Sequence, residues 1–192
     1  MQKQQHFGDK RYYSLNEYCK KLFGDKVYRL SLNAGCTCPN RDGSLSYGGC
    51  SFCSEGGSGD FAADYNISIK AQIADAKTRI QKKTNCNKFI AYFQAYTNTY
   101  APIEHLRRIF TEALEQPEIV GLSIGTRCDC LSNEVLELLD ELLGNNWPSN
   151  DSKAPHKKPI WIELGLQTIH ASTHKKLNTH TTVEQFDAAV LR

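Results

Sequence analysis

The chain reads as an α/β fold in which four βα repeats in a row feed one parallel sheet, and three observations predict this. Short apolar runs rich in β-branched and aromatic residues alternate with longer stretches whose apolar residues recur at helical spacing. Each stretch between two such runs can hold a crossover helix, which returns the chain to start the next strand in the same direction. Polar and metal-ligating residue types gather directly after the strand-like runs, on the face where βα barrels carry their active sites.

Residues 1–12 are polar, as mobile chain ends usually are. Leu15, Tyr18, Cys19 and Leu22 then mark one face of a short helix over residues 14–23, with Ser14 as its cap. Residues 27–32 read Val-Tyr-Arg-Leu-Ser-Leu, an alternating strand that delivers the chain into a cysteine-rich loop. Ile69, Ile73, Ala76 and Ile80 place an amphipathic helix over residues 66–83. Residues 88–93 form the second strand. Pro102 opens the next helix, where proline is tolerated because first-turn amides have no helical partner, and Leu106, Ile109, Phe110, Ala113 and Leu114 point inward.

Residues 119–124 are the third strand, and Ser132 caps a helix that runs to Leu143. Residues 144–159, rich in Asn, Ser, Lys and Pro, read as an exposed loop insertion rather than a domain boundary, so residues 1–192 form a single domain. Residues 160–164 are the fourth strand, followed by helical segments around His174 and from Val183 onward.

A length of 192 residues suffices for one ordinary globular core. With 23 basic and 21 acidic side chains, a net charge of +2 and no long basic run, charge argues neither for nor against nucleic acid. The first residues contain no apolar signal region and no stretch is long enough to span a bilayer, so the expectation is a cytoplasmic protein with no membrane partner. In a reducing compartment clustered cysteines are more often metal ligands or redox groups than bridges.

The loop after the first strand carries Cys38, Cys50 and Cys53 among glycines. Converging thiolates select zinc, copper(I) or iron–sulfur clusters over hard cations. No second C-x-x-C follows: Cys86 stands alone, and Cys128 with Cys130 forms a C-x-C at a strand end. Three cysteines hold three corners of a four-iron cluster and leave the fourth iron open to a non-protein ligand, whereas a closed zinc site needs a fourth ligand, for which Cys36 is the candidate. Cys19, on the apolar face of the first helix, reads as a buried free thiol.

Cys38, eleven residues, Cys50, two residues and Cys53, with Pro-Asn-Arg-Asp-Gly after the first cysteine and Gly-Gly before the second, resembles the cluster loop of radical S-adenosylmethionine (SAM) proteins. More narrowly it resembles the YhcC-like branch, which is related to the elongator catalytic-subunit group. Residues 91–100 (Ala-Tyr-Phe-Gln-Ala-Tyr-Thr-Asn-Thr-Tyr), residues 123–127 with Asp129, and residues 163–168 (Glu-Leu-Gly-Leu-Gln-Thr) fit the same branch.

The resemblance implies a partial TIM-like radical SAM barrel with a 4Fe–4S cluster on Cys38, Cys50 and Cys53. SAM would chelate the open iron, and one electron from a reductant such as flavodoxin or ferredoxin would cleave it to a 5′-deoxyadenosyl radical. It places Phe52 against the adenine, gives the turn holding Gln94 and Thr97 to the methionine amine, and gives Glu163 and Gln167 to the ribose hydroxyls or the methionine carboxylate; the alternatives are loop packing for Phe52 and a salt bridge to a neighbouring strand for Glu163. Arg127 and Asp129 either pair with each other and brace their loop or meet the substrate. The substrate is unknown; the relation to the elongator subunit suggests tRNA, by analogy of fold alone. No catalytic side chain is assigned.

Three departures from the family shape further expectations. Cys128 stands where relatives usually have proline, and residues 177–180, Leu-Asn-Thr-His, lack the arginine that relatives carry there. Family cores have six βα units, so four units read as the front part of a barrel, with an unpaired edge on the fourth strand, Trp161 less covered, and self-association through that edge. Because the three cysteines share one early loop, metal binding is expected to need only the first βα units. The alternatives are a non-catalytic zinc module using Cys36, Cys38, Cys50 and Cys53, and an inactive truncated gene product.

Overall fold

A computed structural model describes residues 11–82, 84–150 and 157–192. The strands β1 (Tyr28–Leu32), β2 (Phe89–Phe93), β3 (Ile119–Thr126) and β4 (Ile160–Leu164) lie side by side in chain order, and every pair is parallel. Sequential order is that of a βα-barrel arc; a doubly wound sheet reverses its order at a switch point. The fold is therefore α/β, four parallel strands forming part of a TIM-like barrel.

Alternation along the strands sorts the side chains. Leu30, Leu32, Phe89, Ala91, Phe93, Leu122 and Ile124 are all essentially inaccessible and share one core with the inner faces of three helices. These are α2 (Ile69–Gln81), α3 (Ile103–Leu114) and α4 (Asn133–Gly144). The opposite, concave face carries the row Ser31, Tyr92, Ser123 and Trp161, matched across the sheet by register.

The helix before the sheet, α1 (Leu15–Phe23), is capped by the Ser14 hydroxyl and stopped by Gly24 in the left-handed region at φ 74°. It lies against Trp161: the rings of Tyr18 and Phe23 meet that indole edge-on at 6.0 and 6.4 Å. Trp161 is partly buried against α1, and all five residues of β4 are only partly buried. β4 is the last strand of the sheet among the described residues.

Three boundaries differ from expectation. α2 begins at Ile69, because the Ser68 hydroxyl accepts from Ala71 N and the Asp64 carboxylate ties Asn66 into a turn. β3 continues to Thr126, carried by pairing with β4 as far as Leu164. The connection 144–159 is not exposed throughout: Trp147 is buried and donates to Leu142 O, and Lys158 is 3 % exposed. Its polar composition hid two anchors whose partners lie elsewhere; residues 151–156 lie outside the described residues. The expectation for residues 1–12 falls mostly on residues 1–10, which also lie outside them.

After β4 come α5 (Ala171–Leu177) and α6 (Val183–Val190), the latter opened by a capping box between Thr182 and Gln185.

Candidate active site

A cavity of about 340 Å³ opens at the C-terminal ends of the strands. Cys38, Cys50, Phe52, Cys53, Gln94, Thr97, Glu163 and Gln167, eight residues singled out from three separate segments of sequence, all line it. The fold brings them together because parallel strands put every post-strand loop on one face.

Backbone hydrogen bonds shape the cysteine loop. Cys38 O accepts from Arg41 N and Asp42 N at 2.8 and 3.1 Å, Gly49 N donates to Asn40 O at 2.8 Å, and Cys53 N to Cys50 O at 3.0 Å. Gly49, at φ 80°, has no room for a side chain, because a Cβ there would stand 2.6 Å from Arg41 Nε. The Arg41 guanidinium donates to Ser54 O at 2.5 Å and to Cys53 O and Glu55 O, so it ties the two halves of the loop together.

Cys50 and Cys53 are shifted in opposite directions. Hydrogen bonding to Cys50 is the main influence drawing the Cys53 thiol down to about 6, helped by Ser58, Arg41 and Arg127 against the effect of burial. Cys50 moves the opposite way, raised first by that hydrogen bond and then by burial. Asn40 Nδ2 donates to Cys50 Sγ at 3.3 Å, and Ser58 Oγ lies 3.4 Å from Cys53 Sγ.

Cys36 is elsewhere. It is 7 % exposed within the apolar core cluster, where burial pushes its thiol up to about 12, and it does not line the cavity. Its thiol is packed into the core while Cys38 lines the cavity, so it is not placed to be a fourth ligand. Cys128 is buried and Cys130 partly so, its thiol raised to about 12 by burial and by Asp129.

The second turn is stitched to its neighbours. Thr97 N donates to Thr37 O at 3.2 Å, and the buried Asn98 amide donates to Phe93 O and Gly125 O at 3.0 and 2.8 Å. Tyr96 holds φ 63°, a left-handed conformation uncommon for so bulky a residue. Its ring lies where a Gly57 Cβ would be, 2.4 Å from that position, and its hydroxyl donates to Glu55 O at 2.8 Å. Ser58 and Gln167 also line the cavity with positive φ, so backbone strain concentrates at the site.

Glu163 is already engaged. Arg29 Nη2 reaches its Oε1 at 2.7 Å and Ser123 Oγ donates to the same oxygen at 2.5 Å, while the Arg29 guanidinium lies 4.7 Å from the centre of the Tyr92 ring. Sequence reasoning singled out Glu163 and missed Arg29, which sits four strand positions lower in register and looks like any strand arginine. Arg127 and Asp129 form a two-pronged pair at 2.7 and 2.9 Å, and Arg127 Nη1 also donates to Thr179 O at 2.8 Å.

That last contact belongs to a second feature that sequence reasoning missed. Residues 177–179 lean on the cysteine loop: Ser51 N donates to Leu177 O at 3.0 Å and Asn178 Nδ2 to Gly49 O at 2.9 Å. The loop is therefore hydrogen-bonded to the turn after α5 as well as to its own βα unit.

Among the described residues, no group of three or more His, Cys, Asp or Glu is gathered tightly enough to hold one metal ion. Ligands of a single zinc all converge within ~2.3 Å of one point. The thiolates of a four-iron cluster each bind a different iron and stand further apart, and a sulfur that accepts an N–H bond, as Cys50 does, suits such a cluster. The donor set is soft sulfur, the ligand type that such a cluster takes. No helix among the described residues is long and apolar enough to cross a membrane.

The chain is similar to the uncharacterised protein YtqA of Bacillus subtilis, with 44% identity over 170 residues that cover 88% of this chain and 49% of that one. It is also similar to protein YhcC of Escherichia coli K12, with 38% identity over 158 residues covering 82% of this chain and 46% of that one. The uncharacterised protein MJ0486 of Methanocaldococcus jannaschii is 37% identical over 176 residues, 90% of this chain and 49% of that one. The chain thus spans about half the length of the curated relatives it matches. No protein-family model matches it. Among solved structures, an archaeal Elp3 from Methanocaldococcus infernus with an N-terminal deletion superposes with TM-score 0.51 at 16% identity, over 85% of this chain and 34% of that one. At that identity the likeness is one of fold.

Proposed function

We propose that the cavity is the cofactor site of a radical SAM enzyme, in which Cys38, Cys50 and Cys53 hold a 4Fe–4S cluster and SAM occupies the space above it. The observation that carries this reading is the convergence of three thiols with Phe52, Gln94, Thr97, Glu163 and Gln167 on one cavity at the strand ends. The similarity to YhcC and the barrel-like sheet support it. When bound and reduced by one electron, the cluster supplies cleavage of SAM to a 5′-deoxyadenosyl radical.

The chain's own residues bind and orient. Phe52, 47 % exposed, offers a ring to the adenine. The turn at Gln94 and Thr97 offers acceptors to the methionine amine, and Gln167 meets the sugar hydroxyls. Glu163, held by Arg29 and Ser123, is fixed in one rotamer and presents its remaining lone pairs to the cavity. The site draws on loops from residue 38 to residue 181, which supports reading them as one unit.

A zinc module is the rival reading, and the burial of Cys36 in the core weighs against it. Anaerobic reconstitution decides: iron and sulfide near four each per chain, an electron paramagnetic signal of the reduced cluster altered by SAM, and 5′-deoxyadenosine on turnover are expected. Colourless protein with one bound zinc would sink the proposal. Incubation with tRNA, scored by mass spectrometry of its nucleosides, tests that substrate class.

A further inference from the structure

We propose that Asn40 and Asn178 form a reciprocal amide latch that fixes the Cys50 corner of the thiol triad, making residues 177–178 a positioning element of the site. The inference rests on the reading of that triad as a cluster site.

Asn40 is fully buried. Its Nδ2 donates to Asn178 O at 2.6 Å and to Cys50 Sγ at 3.3 Å. In return Asn178 Nδ2 donates to Gly49 O at 2.9 Å, and Ser51 N donates to Leu177 O at 3.0 Å. The residues on either side of Cys50 are thus each tied to one turn more than a hundred residues away in sequence, and the sulfur itself is touched by the amide at the centre of the arrangement.

The amide's orientation is forced, because a flip would set Oδ1 against the Asn178 carbonyl at 2.6 Å, two acceptors face to face. That orientation leaves Asn40 Oδ1 buried without a partner. An unsatisfied buried oxygen opposes stability, and a donor held at a ligand sulfur explains why an amide occupies the position. Asn178 makes the same point from the other side. It caps α5 in the left-handed region at φ 54°, where glycine is most at ease, and what asparagine adds is the side chain that reaches Gly49. Arg127 fastens the turn from β3 through Thr179 O. N–H donors to cluster sulfurs set ligand geometry and reduction potential.

The test uses Asn178→Gly and Asn40→Asp in the full chain, with wild type alongside. Asn178→Gly keeps the left-handed cap and the backbone acceptor for Asn40, and removes the side-chain half of the latch together with the His180 contact to Asn178 Oδ1. The apo variant is expected to melt with wild type, yet the reconstituted variant should lose iron to a chelator several-fold faster. Asn40→Asp is isosteric and replaces the donor at the sulfur by a carboxylate, so the cluster's midpoint potential should move to a more negative value. Unchanged iron loss and midpoint in both variants would overturn the latch, as would an apo melting loss in Asn178→Gly that accounts for its iron loss. Wild type that takes up no iron and sulfide would instead overturn the cluster reading itself.

Discussion

Arg29 on β1 and Glu163 on β4 form an ion pair at 2.7 Å although two strands lie between them. In a flat sheet the outer strands of four stand roughly 14 Å apart. Arg29 crosses that span by lying over the Tyr92 ring, on a face curled enough that the first and last strands approach across it. The pair therefore closes the floor of the cavity beneath Glu163.

Removing either partner leaves a half-buried charge without its counter-ion. In a cycle of Arg29→Met, Glu163→Gln and the double variant, unfolding in urea should show a coupling of about 1 kcal/mol. Both single variants should weaken the SAM-induced change in the cluster's paramagnetic spectrum while keeping the iron. Additive stabilities, or loss of the cluster from either one, would contradict a shared role beside the cofactor.

Single Cys→Ala changes at 38, 50 and 53 should each abolish iron–sulfur absorbance after anaerobic reconstitution, because a three-ligand cluster has no spare thiolate. Cys36→Ala should retain the absorbance and cost ~1 kcal/mol of stability, since it removes a sulfur from the core. Metal analysis and thermal melts of the four variants separate the roles. Loss of metal in Cys36→Ala would restore the zinc reading.

Gly57→Ala places a Cβ 2.4 Å from Tyr96 Cδ1 at a position with φ 60°, so both sterics and backbone oppose it. A destabilisation of about 1–3 kcal/mol is expected. Adding Tyr96→Ala should recover only part of it, because the clash goes and the left-handed backbone strain stays. Full recovery in denaturant titrations would show that φ contributes nothing there.

Lys158 is buried and donates to Leu114 O and Gln116 O at 2.7 and 2.9 Å, the carbonyls at the end of α3. Lys158→Met should cost about 1–3 kcal/mol at neutral pH, because those acceptors lose their donor. Burial pulls the ammonium from its ordinary 10.5 down to about 8, opposed by Glu118. Between those values the unfolded chain binds more protons than the folded one, so wild-type stability rises with pH relative to the variant. Urea titrations from pH 7 to 10 should show the gap widening; a narrowing gap would mean the ammonium is favoured in the fold.

Local pattern was enough for much of this protein. The four strands, the α2 to α4 faces and the placement of ligand-type residues on one face follow from period and order, because a parallel βα repeat leaves the strand ends no other side on which to gather. Cys38, Cys50 and Cys53 were likewise legible, since their spacing on one glycine-rich loop is itself local. Tertiary structure alone decided that Cys36 enters the core while Cys38, two residues on, enters the cavity, and that the Trp161 ring meets the rings of α1. It also decided the partners of Glu163 and Cys50. Arg29 lies 134 residues from Glu163, and Asn178 lies 138 from Asn40. No period in a sequence encodes a contact at that distance; curvature of the sheet and the return of the chain after β4 bring those groups within a hydrogen bond of one another.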